Sequence, residues 1–385
     1  MGRTKVVMLV LSEMRYDARV HREADALGRA GFDVVVFGLY DGTGPLAEDA
    51  ANYRIRRIRV STRPLLPSRA SFHLVKYIEF VSRACSMAAL ENADIYHAHD
   101  LNALVPLGLV AQFKDRPLVY DAHELWCERP GTPLLPLWRK LEGSFMRRAV
   151  LLIAPSPERL EHLVQSYEFR GSRLVVRNCP PYREIERNSA LLDYARSHNP
   201  RVRYIALLHG RIGQVKIPEL AIGALCSCQD RVGLVFVGPV ESDYQNHLMS
   251  LAENLGVGDR TFFHPAVPHE RLLDLVASAD LGLVLYKPDG LQYLYCAPNK
   301  YYECLMAGTP MIGNDLPCLH SLIEQNDVGI VCATDAGAVG QAIDSVVSRP
   351  RVRQDMQDNA LSLAKHQLNW QLEQQNFLRA YGSLR

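Results

Sequence analysis

The sequence predicts an α/β protein with two doubly wound parallel sheets, and two observations lead to this fold class. Short apolar segments alternate with amphipathic segments of helical spacing, the pattern of parallel strands covered by helices on both faces. The alternation stops once, between residues 178 and 201, where Pro180-Pro181 and many charged residues replace the apolar segments. Because 385 residues are enough for two domains, we predict Rossmann-like domains at 1–190 and 191–367, with a cleft between them.

The first predicted domain begins with a buried strand at 6–11, where six apolar residues follow one another. A helix at 17–30 comes next, with Val20, Ala24 and Leu27 at helical spacing. Residues 55–60 alternate with arginines, which is typical of an edge or half-exposed strand. The same reasoning predicts strands at 34–39, 94–98, 118–120, 150–155 and 174–177, and helices at 71–91, 101–114, 136–148 and 157–168.

The segment between the domains is predicted to be a linker with one short helix. The strand and helix pattern then restarts, and the chain ends in one long or broken helix at 355–384. The predicted strands of the second domain are 204–208, 232–237, 261–263, 281–285, 311–313 and 329–331.

Composition narrows the class of protein. Lys and Arg number 43 against 42 Asp and Glu, and this balance argues against a dedicated nucleic-acid-binding protein. The nine cysteines are scattered and form no C-x-x-C pair, which fits a reducing compartment. The N-terminal apolar run is shorter than the core of a signal peptide, and no run approaches the ~20 residues of a membrane span. We therefore predict a cytoplasmic protein.

Polar side chains follow the fourth and fifth predicted strands, at the sheet edge where ligands of such folds bind. His97, His99 and Asp100 follow the fourth strand, and His123 follows the fifth with a carboxylate on either side. Strand alternation places His97 and His99 on one side of the sheet. A metal site is one interpretation, but no third ligand has a suggestive spacing, and we favour residues that line the cleft or support it.

A glycine-rich basic loop follows the first strand of the second domain. Gly210 and Gly213 allow close approach of the backbone to a ligand, and Arg211 and Lys216 supply two cations. Pro218 helps to start the next helix. This combination suits a diphosphate, although two basic residues in a loop are common.

The segment around residues 297–312 predicts a second element of the same site. Asn299 is a plausible N-cap for a short helix at 300–307, which Gly308 ends. Lys300 and the first backbone amides would face an anion. Glu303 lies one turn into the helix, where its carboxylate could accept both ribose hydroxyls of a nucleotide; the alternative is a solvated glutamate.

Two other patterns carry less information. Residues 42–47 match G-x-G-x-x-A, but they follow the second strand and contain Pro45, so we reject a dinucleotide site there. Residues 138–148 are basic and amphipathic, and arginines at 54–63 add charge. A contact with a membrane surface is one interpretation, and a solvated helix face is the other.

In their order and spacing these motifs resemble the GT-B-fold glycosyltransferases of the large retaining family 4, the group 1 type. The resemblance covers nearly the whole chain and includes the helix from Asp17 to Ala24, the two histidine-bearing strand ends and Asn178. It continues through the basic loop, Ser278-Ala279-Asp280 and the 298–310 segment. The segment from Asn369 to Tyr381 resembles the family's tail, so a helix at about 368–385 is expected to pack back onto the first domain.

The resemblance implies an enzyme that transfers a sugar from a nucleotide-sugar donor to an acceptor hydroxyl, with retention of the anomeric configuration. The second domain would hold the donor and the first the acceptor. The implied contacts are Arg211 and Lys216 with the diphosphate, Gly210, Asn299 and Lys300 on the phosphate side, and Glu303 with the ribose. His123 would reach the donor sugar across the cleft, orient it and stabilise positive charge near its ring; His99 and Asp100 would line the substrate site. No metal or other cofactor is implied, because cationic side chains and helix termini stabilise the leaving diphosphate.

Two departures limit what the resemblance implies. Many family members carry Glu-x7-Glu, and Tyr295 occupies the first of those positions here, which leaves the sugar open. The glycine-rich acceptor loop after the first strand is replaced by residues 12–16. The acceptor, whether a glycan, a lipid-linked sugar or a small molecule, is therefore open as well, as is association with the inner face of a membrane.

Alternative functions of other classes remain at this point. A nucleotide-sugar 2-epimerase shares the fold and would turn over its substrate without an acceptor. A catalytically silent nucleotide-sugar-binding subunit is made conceivable by Tyr295. An NAD-dependent dehydrogenase is disfavoured, because the turn after the first strand lacks the required glycines.

Overall fold

The computed structural model describes residues 2–14, 17–67 and 70–384, and it divides the chain into two compact units. Unit 1 comprises Met1–Arg177 with Glu373–Arg385, and unit 2 comprises Asn178–Leu372. The boundary lies after Arg177 rather than at residue 190. The reason is packing: Leu191 and Ala195, on the short helix of the expected linker, are buried in the core of unit 2.

Unit 1 begins with β1 (Lys5–Val10), which leads into α1 (Ala18–Arg29). The side chain of Asp17 caps α1 by accepting a hydrogen bond from the amide of Val20 at 3.3 Å. The further elements are β2 (Asp33–Leu39), β3 (Ala47–Asp49), β4 (Arg54–Ile58), α2 (Thr62–Leu65), α3 (Ala70–Glu91), β5 (Ile95–His99), α4 (Asp100–Lys114), β6 (Leu118–Asp121), α5 (Leu135–Met146), β7 (Leu151–Ala154), α6 (Pro157–Tyr167) and β8 (Ser172–Val175).

Unit 2 begins with α7 (Ala190–His198) and β9 (Tyr204–His209). The elements that follow are α8 (Pro218–Ala224), β10 (Val232–Val237), α9 (Ser242–Asn254), β11 (Thr261–His264), α10 (His269–Val276), β12 (Leu281–Val284), α11 (Leu291–Leu294), α12 (Asn299–Ala307), β13 (Met311–Asn314), α13 (Pro317–Leu319), β14 (Gly329–Cys332), α14 (Ala336–Val347), α15 (Pro350–His366) and α16 (Trp370–Gly382). Most of α16 belongs to unit 1, where Phe377 and Tyr381 are fully buried.

The strand order of unit 1 is β3-β4-β2-β1-β5-β6-β7-β8, and the strands are parallel except for β3 against β4. The order in unit 2 is β11-β10-β9-β12-β13-β14, with parallel pairing throughout. In each sheet the order reverses beside the first strand, between β1 and β5 and between β9 and β12. Ligands of doubly wound sheets bind beyond the carboxyl ends of the strands at such reversals. The predicted α/β class is confirmed.

Most predicted elements appear with shifts of one or two residues, and the structure decides two alternatives that the sequence left open. The strand predicted at 55–60 is β4, which is half-exposed but not at the edge, because the unpredicted β3 pairs outside it. The C-terminal segment is broken, since α15 ends at His366 and α16 starts at Trp370. In the part of the chain that the structure describes, no helix combines the length and the apolar character needed to cross a bilayer.

Candidate active site

The candidate residues of unit 1 lie at the carboxyl ends of β5 and β6. Strand register places His99, the last residue of β5, opposite Asp121, the last residue of β6. Asp100 begins α4, and its backbone φ of 62° lies in the left-handed region that residues with a side chain seldom adopt. Its Oδ1 accepts a hydrogen bond from the amide of Glu124 at 3.1 Å. Strained backbone of this kind is concentrated at functional sites.

His123 and Asp100 are the partly exposed members of this group, and of the two His123 makes more contacts. Its Nε2 lies 3.0 Å from Oδ2 of Asp121 and 3.1 Å from Nδ1 of His99. Its Nδ1 faces Oδ2 of Asp100 at 3.8 Å, and its carbonyl oxygen accepts a hydrogen bond from the guanidinium of Arg159. The imidazole is thus held by hydrogen bonds at Nε2 and at its backbone, while Nδ1 faces a carboxylate at a longer distance.

The charge state of His123 follows from these neighbours. Burial alone would lower its pKa, but the carboxylates of Asp121 and Asp100 outweigh burial and raise the pKa to about 9. The ring is therefore an imidazolium at neutral pH. A cationic His123 would repel positive charge that develops at the sugar ring, so the expected stabilisation of that charge by His123 is disfavoured. Orientation of the sugar by His123 is compatible with this geometry.

His99 is fully buried behind His123 and not exposed to a substrate. Burial lowers the pKa of His99, so this ring is neutral. His97 lies on the same side, as predicted, with its ring stacked on that of His99 at a centroid distance of 4.2 Å. The Nδ1 of His97 lies 2.5 Å from the hydroxyl of Tyr381, on α16.

Arg19, on α1, provides the cation of this buried group. Its Nε and Nη2 each contact one oxygen of Asp121 at 2.8 Å, and its Nη1 donates to the carbonyl of Val176 at 2.5 Å. Burial removes water from the guanidinium and by itself lowers its pKa. The carboxylates of Asp121 and then Glu23 outweigh this effect and hold the pKa above the ordinary range. For Asp121 the cost of burial is outweighed by Arg19, which with His123 holds its pKa well below its usual value.

The same region contains a set of side chains that could coordinate a metal. Each of Glu23, His97, His99 and Asp121 offers a ligand atom, and these atoms lie within 4.8 Å of one another. Sequence spacing had suggested no third ligand, because Glu23 and Asp121 come from other elements. However, Arg19 already contacts both oxygens of Asp121, and its Nε lies 3.1 Å from Glu23. A cation therefore already occupies this cluster.

The basic loop of unit 2 is shaped by two glycines. Gly210 directly follows β9 with φ +83°, and a Cβ there would lie 2.8 Å from Nζ of Lys216. Gly238 directly follows β10 with φ +135°, and a Cβ there would lie 2.4 Å from the carbonyl oxygen of Gly210. Lys216 can therefore fold back over the strand end, where its Nζ donates to the carbonyl of His209 at 3.2 Å.

Glu303 projects from α12 toward the same strand end. Its Oε2 accepts a hydrogen bond at 2.8 Å from Nε2 of His209, which is buried at the end of β9. Burial lowers the pKa of His209 although Glu303 opposes this, so the ring is neutral and Nε2 carries the proton that the carboxylate accepts.

The two lysines of unit 2 differ in exposure. Lys300 is only 3% exposed, and its Nζ lies 3.5 Å from the carbonyl of Leu283. Burial, and then the charge of Lys216, place the pKa of Lys300 well below its usual range. Lys216 is partly exposed, and burial lowers its pKa to about 8. Burial thus weakens the charged form of both lysines, and an anion beside them would restore it.

The remaining candidates of unit 2 lie around this centre. Arg211 is exposed and pairs with the equally exposed Glu241 at 3.2 Å. Asn299 is the first residue of α12 rather than its N-cap, which is Pro298, and Gly308 ends that helix with φ +60° as predicted. Tyr295 immediately follows α11. The segment predicted to replace the acceptor loop includes residues 15 and 16, which lie outside the described residues.

Arg19, Glu23 and His209 were not singled out as site residues from the sequence, and Asp121 was noted only as a neighbour of His123. Arg19, Glu23 and Asp121 come from two separate elements, and only the packing of α1 against the sheet joins them. His209 precedes Gly210 directly, and its place at the end of a predicted buried strand was a usable signal.

Comparison with known proteins gives two matching families. The glycosyl transferase 4-like domain matches residues 16–179, and the glycosyl transferases group 1 family matches residues 195–362. Mycobacterium tuberculosis glycogen synthase is 25% identical over 374 residues, which cover 91% of this chain and 87% of the synthase. D-inositol 3-phosphate glycosyltransferase of Mycobacterium sp. (strain KMS) is 27% identical over 250 residues, which cover 60% of this chain and 54% of that protein.

Solved structures share the whole architecture. Sucrose-phosphate synthase from Thermosynechococcus elongatus superimposes with a TM-score of 0.77 at 18% identity over 99% of both chains. Anabaena Alr3699/HepE, solved in complex with UDP and glucose, gives a TM-score of 0.75 at 17% identity over 99% of this chain and 100% of that chain. The two units therefore have the GT-B fold, and the protein is a glycosyltransferase.

With a glycosyl transferase 4-like domain followed by a group 1 domain, the chain belongs to the group 1 glycosyltransferases. The family resemblance, the fold and the enzyme class expected from the sequence are confirmed.

Proposed function

We propose that this glycosyltransferase takes its sugar from a nucleoside diphosphate sugar held by unit 2. UDP is the first nucleotide to test. The observation that carries the proposal is the convergence of Lys216, Lys300 and the His209–Glu303 pair at the end of β9. Burial lowers the pKa of both lysines, and a diphosphate that supplies the opposite charge would favour their charged form again. Among the structural neighbours, Alr3699/HepE was solved with UDP-glucose.

Each part of the nucleotide has a proposed partner. Lys216, Arg211 and Lys300 contact the diphosphate, with Gly210 and Asn299 allowing close approach of the backbone. Glu303 accepts the ribose hydroxyls, and a carboxylate that already takes one bond from His209 retains acceptor capacity for them. Tyr295 lies on the sugar side. The cationic side chains stabilise the leaving diphosphate, and no metal is required.

In unit 1, we propose that His123 orients the donor sugar as a hydrogen-bond donor and that Asp100 lines the same site. Transfer with retention follows from the family resemblance. The proposed acceptor is a hydroxyl of a glycan, a lipid-linked sugar or a small molecule, and unit 1 supplies the surface for it.

The test is a thermal-shift screen of the wild type and Lys216→Met against UDP, GDP, ADP and dTDP. A ligand at 100 times its Kd stabilises the folded state by ~2.7 kcal/mol, so the correct base should stand out. Lys216→Met should lose most of that shift while Lys287→Met, which removes an exposed lysine, should keep it. Equal shifts with all four nucleotides, or none, would contradict a donor site in unit 2.

Turnover separates the alternative functions. The transferase should release UDP from its UDP-sugar only slowly until an acceptor hydroxyl is present. Fast turnover without any acceptor would favour the epimerase, and tight binding with no turnover across an acceptor panel would favour the silent subunit.

A contact with an anionic membrane surface is a further part of the proposal. Trp138 on α5 packs edge-on against Tyr77 of α3 at a centroid distance of 5.2 Å, so the two helices contact each other at this point. Ile78, next to Tyr77 in the chain, and Leu134 and Leu137, shortly before Trp138, are exposed. Exposed basic side chains of α5 and the turn after it complement a negative surface, namely Lys140, Arg147 and Arg148.

The arginines of β4 do not add to this surface. Arg54, Arg56 and Arg57 each pair with a carboxylate of unit 1, which neutralises their charge. Flotation with vesicles of phosphatidylcholine, with and without phosphatidylglycerol, tests the contact. The wild type should float only with the anionic vesicles, and Leu137→Asp should not float. Met249→Asp, which alters an exposed side chain of unit 2, is the matched control; loss of flotation in both variants would contradict a specific surface.

A further inference from the structure

The buried polar group behind His123 is costly to maintain. Asp121 is fully buried, Arg19 is 6% exposed, and Glu23, His97 and His99 are fully buried with them. Within the described part of the chain, both oxygens of Glu23 and the Nε2 atoms of His97 and His99 make no hydrogen bond. A buried ion pair is seldom more stable than well-packed apolar side chains of the same volume. Stability alone therefore does not account for this arrangement.

The contacts form a chain that ends at one ring. Nη1 of Arg19 is fixed to the carbonyl of Val176, and two other nitrogens of Arg19 contact the two oxygens of Asp121. Two parallel contacts from a planar guanidinium fix both the position and the rotation of a carboxylate. The Oδ2 of Asp121 then faces Nε2 of His123 at 3.0 Å, and the guanidinium of Arg159 holds the carbonyl of His123.

We infer that Arg19 and Asp121 are positioning residues, which set the orientation of the His123 ring toward the donor sugar. The inference rests on the proposed role of His123. Neither residue is expected to touch the substrate, because both are buried behind the ring. An error of about 1 Å in the placement of a reacting group can cost on the order of 100-fold in rate, so this support affects turnover.

Lysine would not replace Arg19 in this role. A lysine ammonium is a single point charge, and it cannot contact both oxygens of Asp121 in one plane. Arg19→Lys therefore keeps the charge and loses the rotational constraint, whereas Asp121→Asn keeps the shape and loses the charge. The two variants therefore distinguish the effect of a fixed carboxylate orientation from the effect of the carboxylate's charge.

The first experiment measures donor kinetics and UDP affinity of Asp121→Asn and Arg19→Lys. We expect kcat to fall about 10- to 100-fold, the size typical of residues that support a functional side chain from behind. The Kd of UDP should change less than about twofold, because unit 2 holds the nucleotide. Glu142→Gln is the matched control: Glu142 is another buried carboxylate of unit 1, and it accepts hydrogen bonds from Tyr120 and Tyr167 instead. It should keep kcat even if its Tm falls.

The second experiment is a double-mutant cycle with His123→Ala. If Asp121 acts through the ring, Asp121→Asn should change kcat less than about twofold in the His123→Ala background. A full, independent loss there would overturn the inference. An unaffected kcat in Asp121→Asn and Arg19→Lys, with His123→Ala inactive, would overturn it as well and leave the proposed role of His123 intact. A fully active His123→Ala would instead overturn that proposed role.

The third experiment reads the ring directly and does not depend on activity. The imidazole resonances of His123 in the wild type should titrate well above pH 7 in NMR spectra, and in Asp121→Asn they should titrate below the wild-type value. The groups that face the ring are Asp121 on β6, His99 on β5, Asp100 on α4, and Arg19 and Glu23 on α1. Unchanged titration in Asp121→Asn would contradict the contact, and a stoichiometric divalent metal that is lost in His97→Gln would overturn Arg19 as the resident cation.

Discussion

Binding of UDP is expected to place a proton on Lys216. Burial lowers the pKa of this lysine from an ordinary 10.5 to about 8, and the carboxylate of Glu303 opposes the shift. A phosphate against Nζ favours the charged form and raises the pKa again. At pH 8 and above the phosphates of UDP are almost fully ionised, because the last pKa of a phosphate is about 6. Proton uptake on binding therefore measures protonation of the protein and not of the nucleotide.

The size of the effect follows from the lowered pKa. Keeping Lys216 charged in the free protein costs about 3 kcal/mol relative to water, which the diphosphate must offset. If binding restores an ordinary pKa, uptake should be about 0.1 proton at pH 7, about 0.5 at pH 8 and about 0.9 at pH 9. Affinity for UDP should weaken above pH 8 for the same reason. In the free protein, unfolding free energy should rise between pH 8 and 10.5, where only the unfolded chain retains the proton.

Isothermal titration calorimetry in buffers of different ionisation enthalpy, such as Tris and HEPES, measures the uptake. Lys216→Met should lose this contribution, and Lys300→Met reports the share of the second lysine. Arg211→Met is the control, because it should weaken binding without changing uptake; arginine does not titrate in this range. The reasoning is refuted if Lys216→Met keeps the wild-type uptake, or if UDP binds the wild type at pH 8 with none.

Four other predictions test the remaining parts of the proposal. Glu303→Gln should weaken UDP binding roughly tenfold or more, since hydrogen bonds to a charged group contribute ~1.5–3 kcal/mol, and the penalty should shrink with 2′-deoxy-UDP; equal penalties would place the ribose elsewhere. EDTA should leave activity unchanged, whereas loss with EDTA and rescue by Mg²⁺ or Mn²⁺ would contradict stabilisation by cationic side chains alone. NMR of the product should show a retained anomeric configuration, and an inverted product would exclude the family's route. His123→Ala should lower kcat by about 10²-fold with little change in the Kd of UDP, and a large change in that Kd would instead make His123 a nucleotide-binding residue.

Local sequence was sufficient for the fold class because the signals involved are local. Strand and helix periodicity depends on neighbours within a few residues, so the alternating pattern gave both sheets and most element limits to within two residues. The edge strand β3 was missed because its three residues are all exposed and carry no apolar alternation. The domain boundary was predicted at residue 190 instead of after Arg177, because the burial of Leu191 and Ala195 depends on unit 2 as a whole.

The features of the candidate site likewise divide into those that local sequence indicates and those that depend on packing. Gly210, Lys216 and Glu303 could be singled out from the sequence, because a glycine-rich basic loop and a short helix start are contiguous motifs. The sequence did not show how these residues are buried. In the structure Lys300 is almost inaccessible, burial lowers the pKa of Lys216, and Glu303 pairs with His209. Each of these effects depends on side chains that are far apart in the chain.

By itself the sequence determined two α/β domains, the order of their strands along the chain and the strand ends that carry polar side chains, because these follow from composition and periodicity over short segments. Only the tertiary structure decided the charge state and the support of His123. Arg19, Asp121 and His123 are up to 104 residues apart, and a pKa depends on distances of a few ångströms that only the packing of α1 against the sheet creates.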